Sequence, residues 1–233
     1  MLDRAVVWLA AAALCLGATT ATATGVFEGV SGKVTSAIGR SRPVEVRTGG
    51  QIREGSAITT GPGAHAVLRF DDGQVIALNQ NTRFWVVGYS YDRAKPEGDR
   101  IVFALLKGAM RAITGLIGKR DPEAFVLQTP VAAIGIRGTD FMAVTGSLYI
   151  SVGQGTVVAT NDAGTKTWAA GKLGYIPDAS TLPSAITAKQ MPASVAASFS
   201  QLGTLRVPGA GLPSSGSPGY RSPSPRLPEY RSP

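Results

Sequence analysis

Ala66-Val67-Leu68-Arg69-Phe70-Asp71-Asp72-Gly73-Gln74-Val75-Ile76-Ala77-Leu78 is the stretch that decides the fold. Two short apolar runs flank an Asp-Gly pair. That is the strongest short-range hairpin signal, because both residues of a tight two-residue loop adopt positive φ. With Asp72-Gly73 as the loop, Phe70 faces Val75 and Leu68 faces Ala77 on one side of the sheet, and Val67 faces Leu78 on the other. Apolar side chains on both faces predict a strand pair buried between two layers.

The same pattern continues outward. Thr82–Val87 places Phe84 and Val86 on one face and Trp85 and Val87 on the other, and Ile101–Leu106 is apolar on both. Phe141–Val144, Leu148–Val152 and Thr156–Thr160 read as three strands, divided by Thr145-Gly146-Ser147 and Gly153-Gln154-Gly155. Asn161-Asp162-Ala163-Gly164 then turns into Lys166–Ala169. Loops this short between successive strands predict an antiparallel meander. Nothing in this region is periodic over enough residues for a helix, which argues against a βαβ fold. The expected class is all-β: hairpins packed as a two-layer sandwich or a short solenoid-like domain, followed by a short C-terminal helix. Val195, Phe199 and Leu202 give that helix an apolar stripe to pack on the β domain, and Gly203 is its expected stop.

The rest of the chain sets the organisation. Met1–Arg4 and the apolar run Ala5–Gly17 resemble a secretory signal, too short for a membrane-spanning helix of roughly 20 residues. Ala21-Thr22-Ala23 supplies a small-x-small cleavage pattern, so residues 1–23 are expected to be removed. An uncleaved anchor is the alternative. The expected location is periplasmic or secreted. Cys15, the single cysteine, falls in the removed segment, leaving no thiol for a disulfide, a nucleophile or a metal. The expected divisions are a β domain at 25–176, a short helical extension at 177–203 and a Pro/Ser/Arg-rich tail at 204–233. The tail repeats Tyr-Arg-Ser-Pro from Tyr220 and from Tyr230. Its composition predicts a solvated, extended chain, with Tyr and Arg available to a surface.

Composition narrows function. The chain has 29 glycines, 15 prolines and a net charge of +8. Basic proteins attract anions of any kind, but the basic residues here are scattered and form no nucleic-acid module. His65 is the only histidine, so a histidine-rich metal site is excluded and a Ser-His-Asp triad has no G-x-S-x-G elbow to serve it. Asp71 and Asp72 are adjacent at a turn, and turn chemistry accounts for them. Gly153-Gln154-Gly155 is followed by a strand-like run rather than a helix N-terminus, which excludes a dinucleotide loop. No cofactor, no metal and no enzyme activity are expected.

Five segments, in order, resemble the FecR-type domain: TGPGAHAVLRFDDGQVIAL at 60–78 with NQNTRF after it, KGAMRAITG at 107–115, QTPVAAIGIRGTDF at 128–141, GQGTVVAT at 153–160 and AGKLGYI at 170–176. The resemblance spans roughly 31–176. It implies an exported, non-catalytic all-β module that senses or docks partners. The membrane span and cytoplasmic anti-sigma segment of well-known members have no counterpart motif here, so sigma-factor control is not carried over. The motif residues with expected structural roles are Gly61, Asp72, Gly73, Gly108, Gly135, Gly138, Thr139 and Gly155. Gly135 and Gly138 read as a bend or bulge, fixed by Thr139. Candidate partner-binding residues are Arg137, Arg111, Tyr220 and Tyr230. Arg137 either takes a partner carboxylate or braces a loop internally, the second being favoured. The expected function is docking of another envelope protein; the alternative is binding of an anionic cell-wall or lipid surface.

Overall fold

The computed structural model describes residues 23–206. The chain opens with β1 (Ala23–Ser31), β2 (Val34–Ile38), β3 (Val44–Glu45), β4 (Gln51–Arg53) and β5 (Ser56–Thr60). Then come β6 (His65–Phe70), β7 (Val75–Leu78), β8 (Arg83–Ser90), β9 (Arg100–Lys107) and β10 (Ala109–Ile113). A single short turn of helix, α1 (Leu116–Arg120), leads to β11 (Phe125–Gln128), β12 (Ala133–Val144), β13 (Leu148–Asn161), β14 (Gly164–Ala169), β15 (Leu173–Ile176) and β16 (Ser184–Ile186). The described chain closes with α2 (Ala193–Thr204). Segment 177–203 thus carries a strand as well as the helix, and the helix runs one residue past Gly203.

All sixteen strands belong to one curled sheet. The β class holds, but the sheet is mixed: β9 and β11 run parallel, joined through β10 and α1. The two faces are filled differently. Phe27, Leu68, Phe70, Ile76, Leu78, Phe84, Phe103, Phe125 and Phe141 point into the enclosed side and form the main core. Phe103 sits between Phe70, Phe84 and Phe125 at centroid distances of 4.9, 5.1 and 6.1 Å. On the outer side, Val67, Val75, Ala77, Ala109 and Val144 pack under Val195, Phe199 and Leu202 of α2. The layer over the hairpin's second face is therefore this helix, not a second sheet.

The hairpin forms where expected but its register is shifted by one residue. Leu68 pairs with Ile76, Val67 with Ala77 and Ala66 with Leu78. The loop is three residues long: Phe70 N–H donates to Gln74 O (2.9 Å), Gly73 N–H donates to Phe70 O (3.0 Å), and Gly73 adopts φ +83°. Three-residue loops with a left-handed glycine are the next commonest hairpin type. A one-residue slip exchanges faces. The observed register sends Ile76 and Leu78 into the main core with Leu68 and Phe70, whereas the expected one would have turned them outward.

Two expected strand breaks are absent. Phe141–Val144 is the end of the long β12, and Gly153-Gln154-Gly155 lies inside continuous β13. The β12–β13 pairing shifts between Arg137 and Asp140, where Gly138 (φ +57°) meets Gly155 (φ +72°). A Cβ on Gly155 would overlap the carbonyl oxygens of Gly138 and Arg137. Close backbone approach at a bulge, not a turn, is what these glycines permit.

Candidate functional site

Two of the motif residues, Asp72 and Thr139, sit in a structural lock. Asp72 is buried, contrary to a simple turn role. Its carboxylate accepts from Gln74 N–H (3.0 Å), Ile117 N–H (3.3 Å) and the Tyr89 hydroxyl (3.1 Å). Its own N–H donates to the Tyr89 oxygen (2.9 Å) and its carbonyl accepts from Leu116 N–H (2.8 Å). Gly115 N–H donates to the Gln74 side chain (3.0 Å), and any Cβ on Gly115 would strike the Asp72 carboxylate. Beside this, the Thr114 hydroxyl donates to Thr139 O (2.9 Å) and accepts from Thr139 N–H (3.0 Å). Burial pushes the Asp72 carboxyl above its ordinary range despite those donors, and burial next to Asp72 pushes the Tyr89 phenol up as well.

The candidate arginines separate. Arg111 makes a bidentate pair with Asp140, Nε to Oδ1 at 2.8 Å and Nη2 to Oδ2 at 2.6 Å, with its side chain 12% exposed. Asp140 is thus the internal partner of Arg111, and raises its pKa. Arg137 is exposed at the β12 bulge, and the internal brace expected for it is not found: it makes no ion pair among the described residues. It borders a groove of about 590 Å3 whose floor includes Phe125, Val126, Gly135 and Val158. Tyr220 and Tyr230 lie outside the described residues.

At the opposite end of β7 lies a cleft of about 440 Å3. It is lined by Asn79, Gln80, Asn81, Leu106, Lys107 and Ser198, among others. Its base is rigid. Gly108 (φ +93°) lies so close to Thr82 that a Cβ would collide with that residue's hydroxyl. Thr82 Oγ1 accepts from Ala109 N–H (3.1 Å), and Thr145 N–H donates to Gly108 O (2.9 Å). Gly61 O accepts from Asn81 N–H (3.2 Å), and Asn79 donates to Gln201 of α2 (2.8 Å). Asn81 (φ +55°) is the one non-glycine residue with positive φ among those described.

Beyond Leu106 the outer face of β8, β9 and β11 lies clear of the α2 cluster. Alternation turns Trp85, Val87, Val102, Leu106 and Val126 outward. Trp85 is 41% and Leu106 45% exposed. Sequence periodicity had placed Trp85 on this face but carried no sign of the cleft, because Leu106 and Lys107 reach it through a bulge: Arg83 pairs with Lys107 while Phe84 pairs with Leu105. Among the described residues no cluster of His, Cys, Asp or Glu suits a metal ion, and no helix is long and apolar enough to cross a membrane.

Residues 56–158 match the family model described as FecR protein, from β5 through most of β13. No curated protein matches the sequence. Two crystal structures of a candidate anti-sigma factor from Parabacteroides distasonis, at 1.65 and 2.50 Å resolution, align with 15% identity and a TM-score of 0.44 each. Each alignment covers 56% of this chain, and the chain spans 59% of theirs. Over that stretch, less than half of the chain, the sequence is similar to the FecR family.

Proposed function

We propose that this chain is an exported, non-catalytic docking domain of the cell envelope that binds a protein partner through the outer face of β8, β9 and β11. One observation carries the reading: α2 covers the outer face over β7 and β10, while the neighbouring outer face displays Trp85 and Leu106 to solvent. A large exposed aromatic beside an aliphatic side chain is the usual anchor of a protein interface. The signal-like residues 1–23 support export. Absence of catalysis is supported by Asp72 and Thr139 being taken up in hydrogen bonds within the fold.

The test is capture from envelope extract on the wild-type chain and on a Trp85→Ser/Leu106→Ser variant. A defined protein retained by the wild type and lost by the variant supports docking; equal capture by both, or none, overturns it. A second reading, attachment to an anionic cell-wall or lipid surface, is favoured by the net charge of +8. It predicts release at about 0.5 M salt, where screening lengths fall to a few ångströms.

A further inference from the structure

Arg83 and Lys107 face each other directly across the β8–β9 pair, and neither makes an ion pair among the described residues. Like charges directly opposite in a sheet are destabilising. The bulge that brings them together exposes Leu106 and Lys107 side by side, and Lys107 lines the cleft. Trp85 pairs with Ala104, so Leu106 is its diagonal neighbour on the same outward face. Three backbone irregularities therefore meet at one cleft: the bulge before Lys107, left-handed Gly108 and left-handed Asn81. Bulges re-aim side chains, and backbone held off its usual conformations collects at ligand clamps.

The geometry points to a recognition site for an acidic, extended peptide segment of a partner protein. Arg83 and Lys107 take a carboxylate, Leu106 and Trp85 take the apolar side chain next on the same side of the peptide, and the Asn81 and Gln80 amides reach its main chain. The repulsion between Arg83 and Lys107 is relieved when the carboxylate arrives. Concavity favours a peptide over a bilayer: Lys107 sits in a cleft walled by Ser198 and Pro130, which one chain can enter and a lipid surface cannot. This site rests on the docking reading above and deepens it.

The probe is acetyl-Asp-Ser-Leu-Ser-Asp-Ser-Leu-Ser-amide, titrated into the full chain while the backbone amide signals of 79–81 and 106–108 are followed. The expected result is saturable shifts there. The Asn-for-Asp peptide should bind about tenfold more weakly, the scale of one charge-assisted contact. Arg83→Gln/Lys107→Gln should lose the same factor with a melting temperature no lower than that of the wild type. Arg83→Glu/Lys107→Glu should prefer the Lys-for-Asp peptide. No shifts, equal binding of both peptides by the wild type, or unchanged binding by the Gln variant overturns the site. So does binding of anionic phosphatidylglycerol vesicles through the same two residues without peptide binding. The docking reading stands separately: a partner captured equally by the wild type and the Arg83→Gln/Lys107→Gln variant, but lost by Trp85→Ser/Leu106→Ser, sinks this site and leaves docking intact.

Discussion

The two ends of β7 are built from similar polar residues and put to opposite use. At the hairpin end, Asp72, Gln74, Thr114 and Thr139 are buried and bonded to one another or to nearby main chain. At the other end, Asn81 and Lys107 are exposed on a cleft, and Lys107 faces another cation. The first arrangement is what stability favours. The second costs stability and repays it only if something binds. The family motifs reach both ends: Asp72 and Thr139 sit in the lock, while Asn81, Lys107 and Gly108 line the cleft.

The contrast breaks most directly at Asp72. Asp72→Ala would leave Gln74 N–H, Ile117 N–H and the Tyr89 hydroxyl without an acceptor inside the protein. Each orphaned buried group costs about 1–3 kcal/mol, so a loss on the order of 4 kcal/mol is expected in urea denaturation. A loss under about 1 kcal/mol would mean water enters and the hairpin end is not locked.

Gly155→Val comes next, at about 3 kcal/mol, because a β-branched residue resists φ +72° and its Cβ would overlap two carbonyl oxygens. Leu202→Ala should cost roughly 2.5 kcal/mol, since Leu202 is fully buried between α2 and the sheet. Both are measurable as shifts in denaturation midpoint. A negligible effect at Leu202 would mean α2 is not docked, and the distinction between covered and uncovered outer faces would fall with it.

These sites also show what the sequence could and could not disclose. The hairpin was legible because Asp-Gly between apolar runs is a local signal. Its register was not, because Asp72 turns inward toward Tyr89 and Ile117, 17 and 45 residues away. Gly155 announced an irregularity, yet whether a glycine makes a turn or a bulge depends on the strand opposite, here Gly138. The α2 stripe was legible in full from its spacing. Arg111 and Arg137 look alike in sequence; only the β10–β12 pairing gives Asp140 to the first. The cleft was invisible because it is assembled from loops after β7, β9 and β12.

A smaller effect separates the ends by pH. Burial raises the Asp72 pKa above the usual 3.8, so the folded state holds that proton more tightly than the unfolded chain. Its contribution is complete below the ordinary carboxylate range and is lost as pH rises through the raised value. Wild type should therefore lose stability relative to Asp72→Asn across that window, read from denaturation curves between about pH 3 and about pH 7. The opposite slope would mean the donors around Asp72 outweigh burial.

The smallest expected effect separates the two ends most sharply, because its sign differs. Lys107→Glu places a carboxylate directly opposite Arg83 and converts a like-charge pair into an attractive one. Opposite charges across a sheet contribute about 0.2–1 kcal/mol, so this variant should be more stable than wild type by about 0.5 kcal/mol. The measurement is urea denaturation at low and high salt, since the gain on an exposed pair is screened and should shrink as salt rises. At the locked end the residue present is bonded into the fold; at Lys107 it opposes a like charge. A residue whose charge reversal would stabilise the fold is what a surface serving binding rather than folding carries. Lys107→Glu that destabilises instead would show that Lys107 already has a structural partner, and the two ends of β7 would then follow the same rule.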